Sequence, residues 1–138
     1  MSSPPLTHRE YAYFFVSGHG NPEVITERLG LRPSDSWSAG DIGPRGRVRQ
    51  SMSWRLDSGF DDTEPLDRHI DALLQILGTK AESLRQLWVE YDLTLQCVGY
   101  FPASGHGLHL NRDAIRKAAQ LGLAFDLDFY GIDEHDHD

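Results

Sequence analysis

The chain has 138 residues, of which 39% are hydrophobic and 25% charged, so it can bury one core and is not a low-complexity polymer. Its net charge of −8 repels phosphate backbones, which disfavours nucleic acid as a partner; the single cysteine, Cys97, excludes an internal disulfide and points to a reducing cytoplasm. No stretch approaches the roughly 20 apolar residues of a membrane span, and residues 1–9 lack the apolar run of a signal peptide.

The charge is divided unevenly. Residues 1–60 carry seven arginines against six acids, whereas residues 61–138 carry six basic and fifteen acidic side chains. A basic protein is the partner that this acidic C-terminal half suits.

In chain order, residues 1–10 are expected to be disordered, and residues 11–16 (YAYFFV) are apolar on both alternating faces, the pattern of a central strand buried on two sides. Asn21 and Pro22 then open a helix over residues 22–29 that Gly30 stops. Residues 32–49 read as a loop with a short strand at 36–39, and residues 50–56 as a strand with Met52, Trp54 and Leu56 on one face. A stripe of Leu66, Ile70, Leu73, Leu74 and Leu77 predicts a helix after Pro65. Gly78 interrupts it; Thr79 and Glu82 have the spacing of a capping box, and the stripe resumes at Ala81, Leu84, Leu87, Trp88 and Tyr91. Residues 92–101 alternate as another strand, residues 112–121 form a helix capped by Asn111, and residues 123–130 form a half-buried last strand. Residues 131–138 (GIDEHDHD) read as an acidic disordered tail.

Two segments echo one another: Tyr13-Phe14, then Ser17-Gly18-His19-Gly20, Asn21 and Leu29-Gly30-Leu31; later Tyr100-Phe101, then Ser104-Gly105-His106-Gly107, Asn111 and Leu121-Gly122-Leu123. Two strand-helix-strand halves with short loops predict an α+β fold, a ferredoxin-like antiparallel sheet with the helical segment of residues 66–91 inserted between the halves. An exposed sheet edge in such a fold also allows a homodimer.

The same echo places His19 and His106 at equivalent strand ends, where paired imidazoles can serve a small hydrolase or nucleotide-processing enzyme. The simpler reading is two turns whose glycines supply positive φ. His106 with His109, and Asp133, His135, Asp136 and His137 in the tail, are ligand types for zinc or nickel, but neither group makes a complete site, so no metal or other cofactor is expected. Asp126 and Asp128 share the outward face of the last strand as solvated charges, and Cys97 falls on an apolar face, where a thiol packs and does not react. Arg45, Arg47 and Arg49 alternate near Trp37 and Trp54, a cationic and aromatic combination that suits an anion sensor or an acidic protein segment.

The ordered motifs YFFVSG, a Pro-Glu-Val-Ile helix ending Leu-Gly-Leu, Trp37-Ser38-Ala39-Gly40-Asp41, Ser53-Trp54, His69 in a Leu-rich helix and LAFDLDFY at residues 123–130 resemble the bacterial DUF4279 family over nearly the whole chain. That family's name states that its function is unassigned. The resemblance implies a non-catalytic binding module of the immunity type, and it singles out Trp37, Gly40, Asp41, Trp54, His69 and Asp128. With Arg47 and Arg49 from the cationic and aromatic combination, the binding residues expected are Trp37, Asp41, Arg47, Arg49 and Trp54, with Asp41 also suited to closing a turn by accepting backbone N–H groups.

Overall fold

The structure is a computed structural model, and it describes residues 7–102 and 107–132. Among the described residues five strands, β1 (Arg9–Gly18), β2 (Asp35–Trp37), β3 (Met52–Asp57), β4 (Asp92–Pro102) and β5 (Ala124–Ile132), form one sheet in the order β2-β3-β1-β4-β5. Four helices, α1 (Pro22–Leu29), α2 (Leu66–Gly78), α3 (Ala81–Leu87) and α4 (Arg112–Gln120), complete a mixed α+β domain. The strands reach two residues beyond the predicted domain limits at each end, to Arg9 and Ile132.

Alternation along β1 decides how the layers stack. Ala12, Phe14 and Val16 are buried and join one cluster with Ile25 and Leu29 of α1, Ile70, Leu73 and Leu77 of α2, Leu84 and Leu87 of α3, and Ala114 and Ala118 of α4. Trp54 lies at the centre of that cluster, edge-on to Phe14 with ring centroids 6.0 Å apart, and its Nε1 donates to Thr26 Oγ1 at 2.9 Å. All four helices thus bury their apolar sides against the same face of the sheet. Tyr11, Tyr13 and Phe15 point to the other face and are only half-buried, so β1 is not covered on both sides as its composition predicts.

The sheet is not antiparallel throughout. β1 lies antiparallel to β3 and to β4, and β2 antiparallel to β3, but β4 and β5 run parallel because α4 carries the chain back before β5 begins. The helical segment α2–α3 is therefore the connection from β3 across β1 to β4, not an insertion between two equivalent halves. The halves are unequal as well: β3 separates β1 from its parallel mate β2, whereas β4 and β5 are direct neighbours.

Local capping follows the sequence at α1 and α4, where Asn21 Oδ1 accepts from Glu23 N at 2.9 Å and Asn111 Oδ1 from Ala114 N at 2.8 Å. It fails at α3. Thr79 Oγ1 donates to the carbonyl of Ile76 at 2.7 Å, closing the end of α2, so the predicted capping box does not form. The start of α2 is held from a distance: the Glu10 carboxylate accepts from Leu66 N at 2.8 Å through one oxygen and lies 2.8 Å from His8 Nε2 through the other.

Trp88 ties α3 to the end of α4. Its Nε1 donates to the carbonyl of Leu121 at 2.7 Å, and its ring covers Gly122, where an added Cβ would collide with the indole and the backbone sits at φ 73°. Gly122→Ala is expected to cost about 3 kcal/mol, combining left-handed backbone strain with displacement of the indole. Urea unfolding checks this as a lower midpoint at unchanged slope.

Candidate functional site

The helix-free face of the sheet is built from alternate residues of every strand. Register places Trp37 and Asp35 of β2 beside Ser53 and Arg55 of β3, then Tyr13, Phe15 and Tyr11 of β1, then Gln96, Thr94, Val98 and Tyr100 of β4, and finally Asp126, Asp128 and Tyr130 of β5.

Arginines lie over the rings. Arg49 sits 3.8 Å above the centroid of Trp37; Arg55 lies 4.2 Å from Tyr13 and 5.1 Å from Trp37; and Arg9 lies 4.3 Å from Tyr100. Tyr11 and Tyr13 stack at 6.5 Å and Tyr100 on Tyr130 at 4.9 Å; Arg55 bridges Trp37 to Tyr13 and Arg9 bridges Tyr11 to Tyr100, so rings and arginines together run from β2 to β5. Burial is the main cause that raises the Tyr11 and Tyr13 phenols above their usual range, so both stay protonated donors at neutral pH.

Arg55 is the feature of this row that its surroundings leave incomplete. Its Nε is buried without a hydrogen-bond partner, and among the described residues no carboxylate pairs with its guanidinium. A buried donor left unmade costs about 1–3 kcal/mol, and a guanidinium fork fits a carboxylate. Acids lie at both ends of the face: Asp35 is the register partner of Arg55, Asp57 that of Tyr13, and on the far side Asp128 Oδ2 accepts from Gln96 Nε2 at 2.8 Å, with Asp126 exposed beside it.

The loop between β2 and β3 is a finger that adjoins this face. Asp41 Oδ2 accepts from Ser38 N at 2.8 Å and Asp41 N donates to the Ser38 carbonyl, which closes a turn that Gly40 completes at φ 92°. The chain then folds back through Gly43 N to Arg47 O at 2.7 Å and Arg49 N to Asp41 O at 2.8 Å, leaving Ile42 and Val48 exposed side by side. Arg45, at its tip, holds φ 63° without being glycine. The Trp-x-x-Gly-Asp motif is thus a turn that presents Trp37 and Arg49 together.

The expected binding residues divide accordingly. Trp37 and Arg49 meet; Arg47 is exposed on the finger; Asp41 works within its turn. Trp54 does not belong to the face, because it is fully buried under the helices. His69 is also core: its Nε2 donates to the Glu64 carbonyl at 3.2 Å, and its Nδ1 lies 2.6 Å from the Ser58 hydroxyl oxygen.

His19 is exposed, and the preceding Gly18 backs onto Tyr91, whose ring would come within 2.9 Å of an added Cβ. That contact accounts for the glycine without catalysis. His106, Asp133, His135, Asp136 and His137 lie outside the described residues, and His109 is exposed at the rim of a cleft of about 260 Å³ beside Glu10, Asp67 and Asp71.

Sequence reasoning missed Tyr11, Tyr13, Phe15, Arg55 and Tyr100. The signal was present: within YAYFFV both hydroxyl-bearing rings fall on one alternate face and Ala12, Phe14 and Val16 on the other, and a tyrosine at a fully buried position would need a partner for its hydroxyl.

The family model described as a domain of unknown function, DUF4279, matches residues 7–131. The chain belongs to the DUF4279 family. The match starts in the approach to β1 and ends within β5, so every strand and helix of the sheet lies within it or at its border. No curated protein and no solved structure matches the chain.

Cys97, buried on the helix side of β4, has its thiol pushed up to about 12, chiefly by burial and secondarily by Asp126. The raised value favours the neutral thiol in the folded state, so its contribution to stability is complete below pH 9.0 and is lost as pH rises toward about 12. At pH 8 a thiol reagent such as dithionitrobenzoate is expected to leave the native DUF4279 domain unmodified and to titrate one thiol per chain once urea unfolds it. Rapid labelling of the folded chain would show that Cys97 is accessible.

Proposed function

We propose that the domain is a non-catalytic protein-binding module of the immunity type, acting in the cytoplasm, and that its recognition surface is the helix-free face of the sheet. One observation carries this reading: four helices cover one face, while the other presents a row of rings and arginines in which the Arg55 guanidinium pairs with no carboxylate among the described residues. Large rings with few rotamers, together with arginine, supply most of the binding energy in protein interfaces.

Charge supports a partner of mixed sign. Arg9, Arg49 and Arg55 lie toward β2, β3 and β1, and Asp126 and Asp128 lie on β5, so the basic part of a partner fits the acidic end and a carboxylate fits Arg55. The family resemblance supports the immunity-type role. The order β2-β3-β1-β4, with each neighbouring pair antiparallel, supports reading the first four strands as a ferredoxin-like core to which α4 and β5 are appended.

The test is capture of a stoichiometric partner from native lysate by the immobilised domain at low salt, repeated at high salt. Capture is expected to fall about tenfold between the two conditions, because exposed charges are screened. Arg55→Ala and the double variant Asp126→Asn with Asp128→Asn, none of which touches the core cluster, are each expected to weaken it by roughly fivefold or more. Capture that ignores salt and both variants would remove the sheet face from consideration.

A further inference from the structure

β5 (Ala124–Ile132) pairs with β4 along one edge, and among the described residues nothing pairs with its other edge. At nine residues it is three times as long as β2, the three-residue strand at the opposite edge. A free edge of this length presents roughly 30 Å of backbone, since each residue advances about 3.3 Å. Edges of this kind are usually short or covered.

Both sides of the strand are open. On the helix side Leu127 is 50% exposed and Phe129 38% exposed, while Phe125 alone packs against the core. On the other side Asp126 and Asp128 are exposed. The edge therefore carries apolar residues on one face and carboxylates on the other, in strict alternation.

That alternation selects the occupant. A second copy of β5, laid antiparallel and centred on Leu127 or Asp128, the registers that keep most of the nine residues paired, would set aspartate against aspartate, and like charges directly opposite destabilise a strand pair. A segment with cations opposite the two aspartates and large apolar side chains opposite Leu127 and Phe129 meets no such cost. We propose that the free edge of β5 is a strand-addition site for an extended segment of a partner protein in which lysine or arginine alternates with large apolar residues. Backbone hydrogen bonds supply the docking, and the two faces of β5 read the alternation. This rests on the protein-binding reading above, and it makes the basic part of the partner an added sixth strand.

The probe is a short capped peptide alternating lysine with valine and phenylalanine, measured by fluorescence anisotropy against the intact chain. An isomer of the same composition with its lysines grouped serves as the control. The alternating peptide is expected to bind about tenfold tighter than the isomer, and about tenfold more weakly to the Asp126→Asn and Asp128→Asn double variant. N-methylation of one set of alternate peptide nitrogens is expected to abolish binding, and methylation of the other set to leave it within about twofold, because only alternate N–H groups face the edge.

Equal binding of the two isomers, or no effect of methylation at either set, overturns strand addition and leaves β5 as an edge blunted by its charges. Those results do not touch salt-sensitive capture of a partner that depends on Arg55, so the two readings fail separately. Sedimentation that finds the wild-type chain as a dimer at neutral pH, and a monomer on Leu127→Lys, would also overturn it, in favour of a second copy on this edge.

Discussion

The alternation along β1 is the constraint on which the remaining structure depends. Ala12, Phe14 and Val16 on one side give four helices a common surface to bury, and Tyr11, Tyr13 and Phe15 on the other give them no reason to cross over. Because β1 is the middle strand of five, its two faces set the character of the whole sheet. β3 follows with Met52 and Trp54 inward and Arg55 outward, and β4 with Leu93, Leu95 and Cys97 inward and Thr94 and Gln96 outward. A one-residue slip in any pair would exchange these sets, so burial of one face also fixes the register of the other.

The elements legible in the sequence were those whose signals are local. Asn21, Pro22 and Gly30 delimit α1, and the structure keeps its bounds at Pro22–Leu29, because a cap and a left-handed stop act within a turn of the residues they hold. The pairing of strands was not legible in the same way. Periodicity states which residues share a face but not which strand lies alongside, so the parallel β4–β5 pair and the β2-β3-β1 order contradict the two equivalent halves that the repeated Ser-Gly-His-Gly suggested. Thr79 shows the limit at short range: its spacing to Glu82 suits a capping box, yet its hydroxyl reaches back to Ile76, because the end of α2 competes for the same side chain. Of the candidate site, Trp37 with Arg49 was legible from their alternation, whereas Trp54 matched the same composition and belongs to the core.

Electrostatics reproduces along the sheet the division already visible along the chain. The arginine-rich first half contributes β1, β2, β3 and the β2–β3 loop, which set Arg9, Arg49 and Arg55 against Asp35 and Asp57 on the helix-free face; the acidic second half contributes β4 and β5, with Asp92, Asp126 and Asp128 and no arginine or lysine on that face. Strand order converts a difference between two ends of a sequence into a gradient across about 20 Å of surface, four strand spacings of about 4.8 Å each. A surface polarised in this way orients a partner before contact, because the wrong orientation opposes like charges.

The stacked guanidiniums also resolve the difficulty that an uncovered aromatic face creates. Rings left bare to water invite nonspecific association, and Arg49 over Trp37, Arg55 over Tyr13 and Arg9 over Tyr100 cover them with charge. Each such contact is worth about 0.5–1 kcal/mol at an exposed site, enough to keep the guanidinium on the ring and too little to resist a well-matched interface. The Nε of Arg55 is buried and without an acceptor, so the stack on this ring holds one donor that no group among the described residues satisfies.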